Sequence, residues 1–328
     1  MYEMKTSILT LIMALFLISC NEGDSKKQRF VSDSSGNINN ISVVVDNILW
    51  EDNVGEAIRN VLAVPLEGLP QDEPIFSISQ MPTQVFSGFT TKNRTVLKIE
   101  KGKPASTTIY KDVYAKPQSV IVVSGQTNAE IIDQLNTNAE KIVLTFKNSE
   151  IKEKQKRIEL SLFDDKPLKE VLGISLKFPS VYRIAKTEDN FFWIRKDIKT
   201  GTMDFLVYQA PLSAIRKGDS AVTDIVRLRD SIGKKHIEGR LEGSYMATES
   251  AYAPYIFETI IDNKPTFETK GIWDLKNDFM SGPFINYAIE DKVNNRYIII
   301  EGYVFAPSVE KRDYVFELES IIRSLKIN

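Results

Sequence analysis

The chain holds one histidine, His236, and one cysteine, Cys20, in 328 residues. A hydrolase of the Ser-His-Asp kind would have to use that histidine. No Gly-x-Ser-x-Gly turn supplies the serine. His236 ends the run Gly233-Lys234-Lys235-His236 just past a helical pattern, which reads as an exposed loop. Metal sites built from His and Cys lack ligands by count, so no metal and no cofactor is expected. The count leaves an oxygen-only calcium site open, though no Asp-x-Asp/Asn-x-Asp/Asn-Gly loop is present. Asp262-Asn263, and Asp291 with Asn294-Asn295, read as hairpin turns. The glycines around Gly239-Arg240-Leu241-Glu242-Gly243-Ser244 have the wrong spacing for a phosphate loop and read as a mobile connection.

Carboxylates offer more. Cleavage of a glycosidic bond needs two of them about 5–10 Å apart. Asp72 and Glu73 are the local candidates, in the Pro-flanked loop Glu67-Gly68-Leu69-Pro70-Gln71-Asp72-Glu73-Pro74. Glu56 and Arg59, three apart, have the spacing of a surface ion pair on a helix. Aromatic residues cluster in sequence around the same loop: Trp50, Phe86 and Phe89. Phe191, Phe192 and Trp193 stand in a row, so a strand must aim at least one away from its core face; packing between domains is the expected cover. Tyr245, Tyr252 and Tyr255 fall in what reads as a long loop. The residues offered to a partner are Trp50, Asp72, Glu73, Phe89, Arg94 and Trp193.

Composition narrows the class. Lys plus Arg is 42 and Asp plus Glu is 44, for a net charge of −2. Nothing marks a nucleic-acid binder, which carries a basic face. Hydrophobic residues are 42% and charged residues 26%, a globular profile, and the length suggests two domains. Ahead of Cys20, Lys5 and the apolar run Ile8–Ile18 have the layout of a secretory signal, too short to span a bilayer. Leu17-Ile18-Ser19-Cys20 resembles a bacterial lipobox. That resemblance implies cleavage after Ser19, a diacylglyceryl group on the Cys20 sulfur, and two acyl chains, enough for stable anchoring. The expected location is the cell envelope at the outer membrane, on its periplasmic face or the cell surface. Asn21–Asn40 is polar and reads as a tether.

The expected elements divide the rest into an N-terminal α/β domain, residues 41–164, and a C-terminal α+β domain, residues 165–328. In the first, strands are expected at Ile41–Val45, Ile75–Ile78, Thr95–Ile99, Ser119–Val123 and Ile142–Phe146. Helices are expected at Asn53–Val64 and from Thr127, whose Glu130 completes a capping box. This gives a two-layer or three-layer α/β sandwich. The charged stretch Asn148–Leu162 reads as a helix joining the halves, broken or kinked by Pro167. In the second, strands are expected at Ile174–Phe178, Tyr182–Ala185, Phe191–Lys196, Asp204–Gln209, Tyr255–Asp262, Phe267–Asp274, Phe284–Asp291 and Arg296–Phe305. A helix capped by Asp219 or Ser220 and a last helix opened by Pro307-Ser308 flank them. Strands joined by short turns imply an antiparallel sheet.

The stretches GLPQDEPIFSISQMP, FSGFTTKNRTVL and NFFWIRKD, with the closing YVFELESIIRSLK, resemble an uncharacterised lipoprotein family of the Bacteroidetes, a domain of unknown function. In the second half, the opening Gly-Ile-x-Leu-x-Phe-Pro and the closing Glu-x-Ile-Ile-x-Ser-Leu look like the PsbP-type α-β-α sandwich. Proteins of that fold mostly bind other proteins, so the resemblance implies a binding role. The expected function is a membrane-anchored, non-catalytic binding or assembly module with an envelope protein partner. The alternatives are a carboxylate-dependent envelope glycan hydrolase and a ligand-capturing lipoprotein feeding a transporter.

Overall fold

A computed structural model of the chain describes residues 31–328. The signal segment and Cys20 lie outside the described residues. The first sheet contains β1 (Asn40–Val44), β2 (Ser77–Met81), β3 (Thr95–Lys101), β4 (Ser106–Lys111) and β5 (Ser119–Gly125) in the order β2-β1-β3-β5-β4. All pairings are parallel except the antiparallel β4 edge. Helices α1 (Asn47–Glu51) and α2 (Asn53–Leu62) lie between β1 and β2, and α3 (Asn128–Thr137) and α4 (Ala139–Ile158) follow β5. Ile41, Val43, Leu97, Ile121 and Val123 face the apolar stripes of α2, α3 and α4. Val44, Val96 and Val120 face the other way, covered by Phe86 and Val113 from irregular segments. The expected N-terminal α/β sandwich therefore has two layers.

Local signals explain most of these elements. Thr127 Oγ1 accepts from the Glu130 backbone N–H at 3.2 Å, and the Glu130 carboxylate reaches back to the Gln126 N–H at 2.7 Å. The first contact caps α3; the second reaches one residue before the Thr127 cap, so the expected capping box is only half formed. Ile142–Phe146 is a turn of α4, not a strand. Five apolar residues carry no period of their own. Ile142 and Phe146 are four apart and fully buried, while Leu144 between them is exposed. The expected tether also ends early. Ser32-Asp33 pairs with Ala115-Lys116, and the Arg94 N–H donates to the Ser35 carbonyl. These residues belong to the first domain.

After α4, Pro167 stands in the first turn of a new helix, α5 (Lys166–Leu172), rather than kinking an old one. Gly173 closes it at φ 64°, as expected of a residue past a helix end. The second sheet is antiparallel: β6 (Arg183–Glu188), β7 (Phe191–Ile198), β8 (Gly201–Pro211), β9 (Tyr245–Thr248), β10 (Tyr255–Ile261), β11 (Lys264–Lys276), β12 (Ser281–Asp291) and β13 (Arg296–Phe305). Its order is β9-β11-β12-β13-β8-β7-β6, with β10 also on β11. Helix α6 (Ala221–His236) covers one face, and α5 and α7 (Arg312–Ile322) cover the other. The expected antiparallel sheet flanked by helices is present as an α-β-α sandwich. Only Ile174-Ser175 of the expected Ile174–Phe178 strand pairs, with Lys326-Ile327.

Both faces of this sheet are covered, which settles the aromatic row. Phe192 faces the α7 side and Phe191 the α6 side, both buried within the domain. No second domain is needed to cover them. His236 is not in a loop either: it is the last residue of α6, 5% exposed, stacked on Phe191 with ring centroids 4.0 Å apart. Burial lowers its pKa against the pull of Glu188. Gly233 did not end the helix because it serves packing. A Cβ there would meet the Met246 carbonyl oxygen of β9 at 2.2 Å. Tyr245 and Tyr255 likewise begin strands β9 and β10, so the tyrosine-rich loop is shorter than expected.

Candidate functional site

The loop Pro65–Pro74 lies between the domains. Leu69 packs against the core of the second domain. Gly68 sits at φ 82°, and a Cβ there would meet the Lys270 side chain of β11 at 2.8 Å. Both facts require glycine. Glu73 is buried, and its carboxylate accepts from the backbone N–H groups of Lys311 at 2.8 and 2.9 Å and Arg312 at 2.7 Å. A negative charge on the orphan N–H groups at the start of α7 is the favoured arrangement. Arg312 answers with its Nη1 on the Pro74 carbonyl, 3.1 Å. Asp72 beside it points to solvent. The two carboxylates are not paired across a site.

Helix α4 completes the junction. Lys147 and Lys154 of α4 pair with Glu319 and Glu317 of α7 at 2.8 and 2.7 Å. Neighbouring cations hold Glu317 and Glu319 below the usual carboxylate range against the opposing effect of burial. The other side of α4 is tied to the first sheet by Arg94. Its Nε and Nη2 donate to Glu150 Oε1 and Oε2 at 2.9 and 2.8 Å, with side-chain exposures of 1% and 0%. The bidentate fork matches the carboxylate. Thr95 and the Asn39 N–H also donate to Glu150.

These contacts frame a cleft of about 360 Å³ between the domains. One wall is Val61, Val64 and Ile75 of the first domain, and Val143 and Leu144 of α4. The other is Pro283, Phe284, Ile285, Val315 and Phe316 of the second. Its buried and half-buried charged residues are paired, Lys147 with Glu319 at 2.8 Å, Lys270 with Glu268 at 3.1 Å and Arg312 with Asp313 at 3.0 Å, while Glu140 at the rim is exposed and makes no ion pair among the described residues. The cleft is apolar with a compensated ionic floor.

Of the residues expected to meet a partner, Glu73 is used in the domain junction and Arg94 in the first domain. Phe89 is 73% exposed, and with Arg94 it borders a shallow polar groove. Trp50 is half-buried apart from them, with the Arg59 guanidinium 4.8 Å above its ring. Arg59 therefore serves Trp50, and no ion pair to Glu56 forms. Trp193 lies in the second domain, its Nε1 donating to Asp204 Oδ1 at 2.7 Å. Sequence reasoning missed Glu150, Asp204 and Glu301, all fully buried carboxylates. Only Glu301 carried a signal, a single charge after the apolar run Tyr297-Ile-Ile-Ile; Glu150 lies in a charged stretch and Asp204 has no local mark.

Burial raises the Asp204 pKa to about 6. Between its ordinary value near 4 and about 6, the folded chain holds a proton that the unfolded chain has lost. Stability from this group is thus highest below pH ~4 and falls as pH rises through ~6. Asp204→Asn should remove that slope. Denaturant unfolding should find the variant gaining on the wild type by on the order of 2 kcal/mol between pH 4 and 7. A constant difference across that range would contradict it.

The arrangement defines a two-domain α+β protein with an apolar cleft between an α/β and an α-β-α unit. Residues 161–324 match DUF4837, a domain of unknown function, and the chain belongs to that family. Residues 34–159 match a second domain of unknown function, DUF8532. No curated protein matches the sequence. Three solved structures are similar over 47% of this chain. One, from Bacteroides thetaiotaomicron, is 13% identical with a TM-score of 0.27, and the match covers 45% of its length. The others are a mutant of the protein Mog1, 9% identical with a TM-score of 0.30 and 90% covered, and the Saccharomyces cerevisiae Ran-binding protein Mog1p, 10% identical with a TM-score of 0.28 and 89% covered.

Proposed function

We propose that the chain is a lipid-anchored, non-catalytic binding module of the cell envelope, of the Bacteroidetes lipoprotein kind, and that it binds in the cleft between its domains. The cleft carries this reading. Its size is that of a small-molecule site, and apolar walls with few polar groups are what such sites use. Because the buried ions of its floor are already paired, and the one lining carboxylate without an ion pair among the described residues, Glu140, is exposed at the rim, a charged ligand finds no free partner inside. The ligand that fits is apolar over most of its surface, such as a hydrocarbon chain. Glu73, spent on the start of α7, weighs against the glycan hydrolase alternative. Phe89, exposed on the first domain, suits contact with an envelope protein that receives or presents the ligand.

The cleft is tested by titrating the folded chain with anilinonaphthalene sulfonate and displacing the probe with palmitate. One saturable site is expected, and Val143→Trp, which fills the cleft, should weaken it about tenfold, close to 1.4 kcal/mol. Equal binding by the variant would place the probe elsewhere. The anchor has a separate test. Cells fed an alkyne-labelled fatty acid should label the full chain, and Cys20→Ser should lose the label and leave the membrane fraction. Persistent labelling of the variant would refute lipidation at Cys20.

A further inference from the structure

A second cavity, about 250 Å³, lies on the α6 side of the second sheet, beyond the end of that helix. Strand register builds it. Arg195 of β7 stands opposite Asp204 of β8, and Asp204 stands opposite Tyr303 of β13. The three side chains form one row across the sheet face. Trp193 flanks the row two residues along β7, and Trp273 of β11 contacts Tyr303 edge-on, centroids 5.6 Å apart. The turn Ile237–Ser244 closes over one side, held by the Gly239 N–H on the Ser244 carbonyl at 2.9 Å.

The polar groups here are incompletely used. Asp204 is 1% exposed, yet Arg195 Nε lies 3.9 Å from it and 3.5 Å from the exposed Asp197, and hydrogen-bonds to neither. The buried Tyr303 hydroxyl finds no partner among the described residues. Buried polar groups are normally satisfied, so such a row facing a cavity is a feature to be explained. The structure also limits the ligand. Four charged side chains line the cavity: Arg195 and Arg240 against Asp204 and Glu238. A cation would meet two guanidinium groups, and an anion two carboxylates. A ligand that accepts from Arg195 and donates to Asp204 must do both with neutral groups, as hydroxyls do. The aromatic walls, Trp193, Trp273 and Phe305, offer flat apolar faces beside them.

We propose that this cavity, with Asp204, Arg195 and Tyr303 on its floor and Trp193 on its wall, is a binding site for an uncharged sugar ring, a single unit of a glycan. It is distinct from the apolar cleft between the domains. Hydroxyls donate to Asp204 and accept from Arg195, and the C–H face of the ring lies on the indole.

The chain has three tryptophans, so indole N–H signals in nuclear magnetic resonance report the site directly. The full chain is titrated with glucose, N-acetylglucosamine and, as the cationic arm, choline. A sugar should shift the Trp193 signal saturably, with a dissociation constant of about 1–10 mM, while Trp50 in the other domain stays still. Arg195→Gln, at a side chain one-third exposed, should weaken binding about tenfold with an unchanged thermal midpoint, and Trp193→Phe should also weaken it by calorimetry, with a lower midpoint because Asp204 loses its Nε1 donor. No shift with either sugar up to about 100 mM, a shift with choline alone, or undiminished affinity in both variants would overturn the assignment.

Discussion

Glu73→Ala should destabilise the protein by about 3 kcal/mol. The carboxylate accepts three short contacts from two backbone N–H groups at the start of α7, 238 and 239 residues away in sequence. Hydrogen bonds to a charged group contribute about 1.5–3 kcal/mol each, and the N–H groups left behind are buried. The loss falls on the junction between domains, because Glu73 belongs to the first and α7 to the second. Denaturant unfolding should therefore show a second effect: a single transition separating into two, as the second domain loses its hold on the Pro65–Pro74 loop. Glu73→Gln keeps an acceptor and gives up the charge at the helix start, a loss of about 1 kcal/mol. An alanine variant as stable as the wild type, with one transition, would mean that the loop does not hold the domains together.

Arg94→Met should cost more, about 3–5 kcal/mol, because it strands Glu150 as a buried charge without its cation. Glu150 would keep the Asn39 N–H at 2.9 Å and the distant Thr95 hydroxyl at 3.5 Å, too little to replace a bidentate guanidinium. The informative comparison is the double variant Arg94→Met/Glu150→Met. Removing both ions removes the desolvation cost with the attraction, and such replacements are often neutral. Its stability should return to within about 1–2 kcal/mol of the wild type. Additive losses would show that Arg94 acts through the carbonyls of Gly36 and Asn37 instead, which it also reaches.

How much of this was legible in the sequence depended on distance along the chain. The Thr127 cap, the terminator at Gly173 and the strand Arg296–Phe305 are local patterns, and each appears where it was expected. Ile142–Phe146 was misassigned because a five-residue apolar run fits either a strand or one and a half turns of helix. Only the charged residues on both sides, Glu140, Lys141 and Lys147, hinted that a longer amphipathic helix ran through it. The edge strand Ser106–Lys111 was missed, being short and half polar. Glu73 and Arg94 were singled out for a partner outside the chain. Their partners are Lys311, Arg312 and Glu150, and no periodicity reports contacts set by topology. The Asp204 row was hidden for the same reason: three strands must align before Arg195, Asp204 and Tyr303 become neighbours.

The central claim is that the cleft between the domains holds an apolar molecule. Native mass spectrometry of the chain isolated from its own cells tests it most directly. The account predicts a folded species heavier than the chain by one small apolar molecule, released on unfolding and absent from Val143→Trp. A bare mass for both proteins, or the same adduct on the variant, would contradict it.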